Sequence, residues 1–235
     1  MNKVIQAREA AKLIKDGSCV WLTAGGGGIN EPYSFLQELE KTFLETGHPA
    51  QMTLCHAAGI GDKQGGGADR FAHEGMVKKV IGSHWTWSEN MQKLALNKKI
   101  EAYVLPQGTM SQMVREIAGG RPGVITKAGL GTFVDPRVEG GAMNSISKEK
   151  LTEVIEIGGE EFLLYKSFPI DVTIIRATTA DEDGNLTFEH EGIIAEVLSA
   201  AQAANVSGGI VIAQVKRVVQ KGTLKPMDIR VPGII

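Results

Sequence analysis

The sequence predicts an α/β protein built on a mainly parallel sheet, with one small β-hairpin inserted. Three observations carry that expectation. Short apolar runs alternate with segments of helical periodicity, as in successive βα units. Those runs have almost no polar face, which fits strands covered by helices on both sides. Residues 151–165 instead alternate with period two around Gly158-Gly159, the pattern of a hairpin.

In chain order, residues 6–16 place Ala10, Leu13 and Ile14 on one helical face, and Gly17 is the stop signal. Residues 18–24 form the first strand, which runs into Gly25-Gly26-Gly27-Gly28. A helix opens at Glu31-Pro32, where the missing proline N–H costs nothing, and continues to about residue 45. Residues 52–58 are the second strand and 60–69 a second glycine-rich loop. Helices are expected over 70–80 and 88–97. The strand at 100–105 delivers Pro106-Gln107-Gly108-Thr109 to a helix over 110–118. A third glycine-rich region spans 129–144. After the hairpin come a buried strand at 172–177, a turn at 181–185 into Leu186-Thr187-Phe188, a helix at 193–204 and a strand at 209–218. The last residues, Val231-Pro232-Gly233-Ile234-Ile235, are apolar and are expected to lie under a partner or to lead into further chain. No repeat or Ser/Pro-rich linker divides the sequence, so residues 1–235 are read as one domain.

Composition narrows the function classes. A net charge of -2 gives no general affinity for nucleic acid or anionic membranes. No apolar run approaches the ~18 residues of a membrane span, and the N-terminus lacks a signal peptide. Cys19 and Cys55 lie in apolar strand-like runs and are read as buried free thiols of a reducing, cytoplasmic compartment. Glycine contributes 29 of 235 residues, clustered between the periodic segments, which indicates elaborated loops.

The run Gly25 to Gly28 is the feature around which the chain is organised. Four glycines cost backbone entropy, but they let the main chain approach a ligand with bare N–H groups outward. A carboxylate, phosphate or oxyanion is the natural occupant; a plain tight βα turn is the alternative. A dinucleotide fingerprint fails, because Gly25-x-Gly27 and Gly26-x-Gly28 are followed by Asn30 and Glu31 where the third glycine belongs. No Gly-Lys-Ser/Thr triplet makes a P-loop, and no Gly-x-Ser-x-Gly makes a nucleophile elbow. His73, Glu74 and His84 lack metal-ligand spacing. Glu189-His190-Glu191 reads as a solvated loop, with an interface or active-site rim as the alternative; Glu139 reads as a surface glutamate; Trp85 and Trp87 read as core or subunit contacts, with a binding wall as the alternative. Gln107 follows a buried strand and precedes a helix, at the sheet edge where α/β folds bind ligands; a helix-capping turn is the equal alternative.

Several stretches together resemble the first (α) half of family I coenzyme A transferases, and particularly the fused acetate/propionate enzymes of bacteria. They include Phe71-Ala72-His73-Glu74-Gly75, Gly82-Ser83-His84-Trp85, Pro106-Gln107-Gly108, and Lys127 through Arg137 with its Gly-x-Gly-Thr-Phe-Val-Asp-Pro-Arg run. The resemblance covers nearly the whole chain. It implies an open three-layer α/β/α sandwich and transfer of coenzyme A between a short-chain acyl-CoA and a free carboxylate. A glutamate attacks the thioester, and ping-pong turnover passes through a glutamyl-CoA intermediate. That nucleophile and most coenzyme A contacts belong to a second (β) half outside these residues, so the chain alone is expected to be inactive. The α half brings the glycine loop, here Gly25, Gly26, Gly27 and Gly28 with Asn30 and Glu31, and the turn Gln107-Gly108. Coenzyme A is a substrate; no resident cofactor or metal is implied. The expected partners are the β half, the acyl-CoA and its acids, and further αβ units in a homo-oligomer. A sugar-phosphate or acyl-CoA binding module of the same fold, or an oligomer scaffold, are the competing readings.

Overall fold

The computed structural model describes residues 3–235. The early βα alternation is realised as α1 (Ala7–Ala11), β1 (Cys19–Leu22), α2 (Tyr33–Thr46), β2 (Met52–His56), β3 (Val77–Gly82), α3 (Glu89–Leu96), β4 (Glu101–Val104) and α4 (Gln107–Ala118). A small antiparallel sheet follows, made of β5 (Gly123–Thr126), β6 (Thr152–Ile157) and β7 (Glu160–Lys166). The chain then returns through β8 (Val172–Asp181), β9 (Leu186–Thr187), α5 (Val197–Val206) and β10 (Ile210–Val219).

The main sheet has the order β10-β8-β1-β2-β3-β4, all parallel, with β9 antiparallel to β8. Strand alternation divides its two faces. Val20 and Leu22 of β1 enter one core with Phe35, Leu36 and Leu39 of α2 and Met91 of α3. Trp21, between them, enters the other core with Met110 and Met113 of α4 and Val197 and Ala200 of α5. The predicted three-layer sandwich is therefore present. Its register is set by burial, because a one-residue slip would carry Trp21 to the wrong side. α2 closes as the sequence suggests: Gly47 takes a φ of 76° and its N–H donates to the Phe43 carbonyl. α5 is built largely of alanine, so it lies close against the sheet.

Two expectations are corrected. The helix at 70–80 is instead a short 3-10 turn, Gly67–Phe71, followed by strand β3. Gly75, at φ 88°, breaks the helical path, and the β-branched Val77, Val80 and Ile81 pair with β2. The inserted hairpin is the larger part of a three-stranded sheet, since β5 pairs with β7. At four residues, entered through Pro122-Gly123, β5 is too short to show a period. Near the C-terminus Val231 is fully buried and bridges Leu186 of β9, while Ile234 and Ile235 are half-buried.

Candidate functional site

The strand order reverses between β1 and β8. The chain runs outward through β2, β3 and β4, then returns to the other flank of β1. The carboxyl ends at such a reversal form a crevice, because the helices that follow depart on opposite faces. α2 leaves β1 toward one core and α5 leaves β8 toward the other. At this edge lies a cleft of about 1100 Å³, lined by Ala24 after β1, Ala58 after β2, Gln107 and Ser111 of α4, and Ile193 and Glu196 before α5.

Gln107 is the first residue of α4 and is exposed to the cleft. The helix has no side-chain cap, so its amide is not spent on a capping turn. Gly108, also exposed, follows in the same turn and does not line the cleft.

The glycine loop sits just behind, joined to the cleft through Ala24 and through Ile193, which Gly25 faces. Its amides depart from the expectation of bare outward donors. Gly25 N–H donates to the Ile29 carbonyl at 2.8 Å, and the amides of Gly27 and Gly28 both donate to the Gly61 carbonyl, at 2.9 and 3.2 Å. The loop coils through left-handed φ at Gly27 and Gly28, 72° and 77°, which turns those donors onto the second glycine-rich loop. Among the described residues Gly26 alone of the four keeps an amide without an intramolecular acceptor. It must be glycine, because a Cβ there would collide with the Trp87 indole.

Asn30 and Glu31 are both buried, at 5% and 3% exposure. Asn30 holds a left-handed φ of 58°, and neither end of its side-chain amide finds a hydrogen-bond partner. Glu31 accepts the Gly67 N–H at 2.6 Å. Burial pushes its carboxyl above the ordinary range, while the Gly67 hydrogen bond opposes that rise. Arg176 of β8 ties the region together, donating to the Glu31 carbonyl at 3.2 Å and pairing with Glu191 at 3.0 Å.

Two features escape sequence reasoning. Glu196 enters the cleft at the N-cap of α5 and accepts a hydrogen bond from Trp21 Nε1 at 3.3 Å. Burial pushes its carboxyl above the ordinary range, and the hydrogen bond from Trp21 opposes that rise. The signal is Ala195, a non-glycine residue at φ 51° just before it, which no sequence pattern reveals. Glu191 corrects the solvated-loop expectation: its side chain is 4% exposed, paired with Arg176 and receiving the Thr178 hydroxyl. Glu189 of the same run is held at about 2, because hydrogen bonds from Thr179, Thr187 and Arg217 outweigh the effect of burial. Glu139 is exposed, as a surface glutamate should be. Among the described residues no three His, Cys, Asp or Glu side chains converge as a metal-ligand set, and no helix is long and apolar enough to cross a membrane.

A parallel sheet with a crevice at its strand-order reversal is the arrangement of open α/β proteins that bind ligands at that edge. The chain belongs to the coenzyme A transferase family, whose profile matches residues 4–235. It is 49% identical to caffeate CoA-transferase of Acetobacterium woodii, over 100% of this chain and 45% of that protein. It is 39% identical to acetate CoA-transferase YdiF of Escherichia coli K12, over 99% of this chain and 44% of that protein. Among solved structures, the acyl-CoA transferase YdiF of Escherichia coli O157:H7, in a thioester complex with CoA, superposes with a TM-score of 0.96 at 39% identity. That match covers 99% of this chain and 45% of the other. The chain thus spans about half the length of these relatives.

Proposed function

We propose that this chain is the α half of a CoA-transferase that moves coenzyme A between a short-chain acyl-CoA, such as acetyl- or propionyl-CoA, and a free carboxylate. The observation that carries the proposal is Gln107, presented without a capping role at the mouth of the cleft where the sheet reverses. Its amide N–H is suited to negative charge on an anhydride or tetrahedral oxygen. Gly25 to Gly28, Asn30, Glu31 and Gly108 hold that wall in shape. The nucleophilic glutamate belongs to a β half. Glu196 is not assigned that role; its carboxylate is held by Trp21 Nε1 at the N-cap of α5.

A partner over the cleft is supported by its apolar rim: Ile193, Leu198 and Val206 are 36%, 38% and 57% exposed. The αβ units are taken to assemble further into a homo-oligomer. The unbonded thiols of Cys19 and Cys55, 3.8 Å apart, agree with a cytoplasmic setting.

The test is reconstitution with a β half. The mixture transfers CoA from acetyl-CoA to propionate, and this chain alone does not; no transfer by two folded halves rejects the reading. Gln107→Ala in the mixture lowers kcat about 10²-fold with little change in stability. Hydroxylamine trapping labels a glutamate outside residues 1–235. A second reading concerns the acid. The similarity to a caffeate CoA-transferase points to an acid larger than acetate. A higher kcat/KM for caffeate than for acetate supports that version, and the reverse rejects it.

A further inference from the structure

A second cavity, of about 590 Å³, opens between α3 and the loop that follows β3. Gln107 and Glu196 do not line it. Ser83 Oγ, His84 Nδ1 and Trp85 Nε1 are all buried without a hydrogen-bond partner, and all three consecutive residues face this cavity. Native proteins leave few such groups, and a run of three in one wall asks for an occupant. Trp85 is 8% exposed, and its indole N–H can only donate.

Lys63 and Lys93 line the same cavity. Lys63 lies over the Trp87 ring and Lys93 reaches Asn90 Oδ1, but among the described residues neither has a carboxylate partner. Glu89 is the acid on this wall, so two ammonium groups and one carboxylate leave a single net positive charge. Trp85, Leu96 and Met143 supply apolar surface. The volume falls in the range of small-molecule sites.

From these features we infer that the cavity binds a monocarboxylate with an apolar body. One negative charge matches the net charge of the wall, and carboxylate oxygens accept from the orphan hydroxyl and indole donors. The body lies against Leu96 and Met143. A phosphate dianion over-fills the charge and has nothing to place on the apolar surface. The inference stands independently of CoA transfer.

The experiment is calorimetric titration of the 235-residue chain with 3-phenylpropanoate, its neutral amide and inorganic phosphate. The acid binds saturably at one site, the amide binds about tenfold more weakly, and phosphate does not bind. Lys63→Gln and Lys93→Gln, both exposed and harmless to folding, each weaken the acid by about tenfold. Leu96→Trp, at an exposed position of the rim, weakens it by filling the cavity. Gln107→Ala leaves its affinity unchanged. Absence of saturable binding, equal affinity for the amide, or preference for phosphate overturns the inference. So does acid binding that survives both lysine changes but disappears in Gln107→Ala, since the ligand would then sit in the other cleft.

Discussion

The glycine loop after β1 and the glycine-rich run at 129–141 are both devices of the backbone, yet they treat their polar groups oppositely. In the second run nearly everything is paired. Asp135, with a side chain 1% exposed, accepts from Gly131 N–H at 2.9 Å, from Arg137 N–H at 3.0 Å and from the Arg137 guanidinium. Arg137 also pairs with Glu161 on β7. Gly129 packs against Tyr165 and Val134, at φ 98°. This is a clasp that fastens the small sheet. In the first loop the Gly26 amide and the whole Asn30 side-chain amide are left unpaired. The two runs differ in how completely the fold satisfies their polar groups.

The sharpest test of this contrast is Gly129→Ala. The new methyl meets Tyr165 Oη and Val134 Cγ2 at a φ that side chains avoid, so stability in urea falls by about 4 kcal/mol. A loss below about 1 kcal/mol would mean that the clasp yields easily.

Asp135→Ala comes next, at about 3 kcal/mol, because Gly131 N–H and Arg137 lose their shared acceptor. The same group predicts a pH dependence. The Arg137 hydrogen bonds hold the Asp135 carboxyl well below its usual range. A lowered carboxyl pKa stabilises the fold fully above about pH 4, and that contribution is lost as pH falls through it. Acid unfolding monitored by circular dichroism should therefore flatten in Asp135→Asn, and an unchanged acid limb rules the linkage out.

In the glycine loop the stability effects shrink. Gly27→Ala keeps open space but must hold φ 72°, a cost of about 1 kcal/mol in thermal unfolding. A loss as large as that of Gly129→Ala would erase the distinction between the two regions. Smallest of all, Glu196→Gln should leave stability within about 0.5 kcal/mol, because the neutral amide still accepts from Trp21 Nε1. A large loss would show that Glu196 is ionised and paired in the folded chain.

Much of the layer order was legible because burial imposes periodicity. Val20, Trp21 and Leu22 announce a strand with two covered faces, and Gly47 announces a helix end. β3 was not legible, since Val77-Lys78-Lys79-Val80 has apolar spacing that also suits a helix, and only pairing with β2 decides between them. The same division applies to the site. The place of Gln107 at the sheet edge was readable from its position after a strand, but the fate of the glycine-loop amides was not. Glu196 and Glu191 were not, because a glutamate's burial depends on residues such as Trp21 and Arg176, 175 and 15 positions away.

The sequence by itself determined the alternation of elements, the two-faced burial of β1 and the glycine-rich loop at its end. Local composition carries those properties. Only the tertiary structure decided which glycine amides remain free, since Gly27 and Gly28 surrender theirs to Gly61, more than thirty residues on. Hydrogen bonds are settled by whichever acceptor arrives within reach, and that is a property of the folded chain.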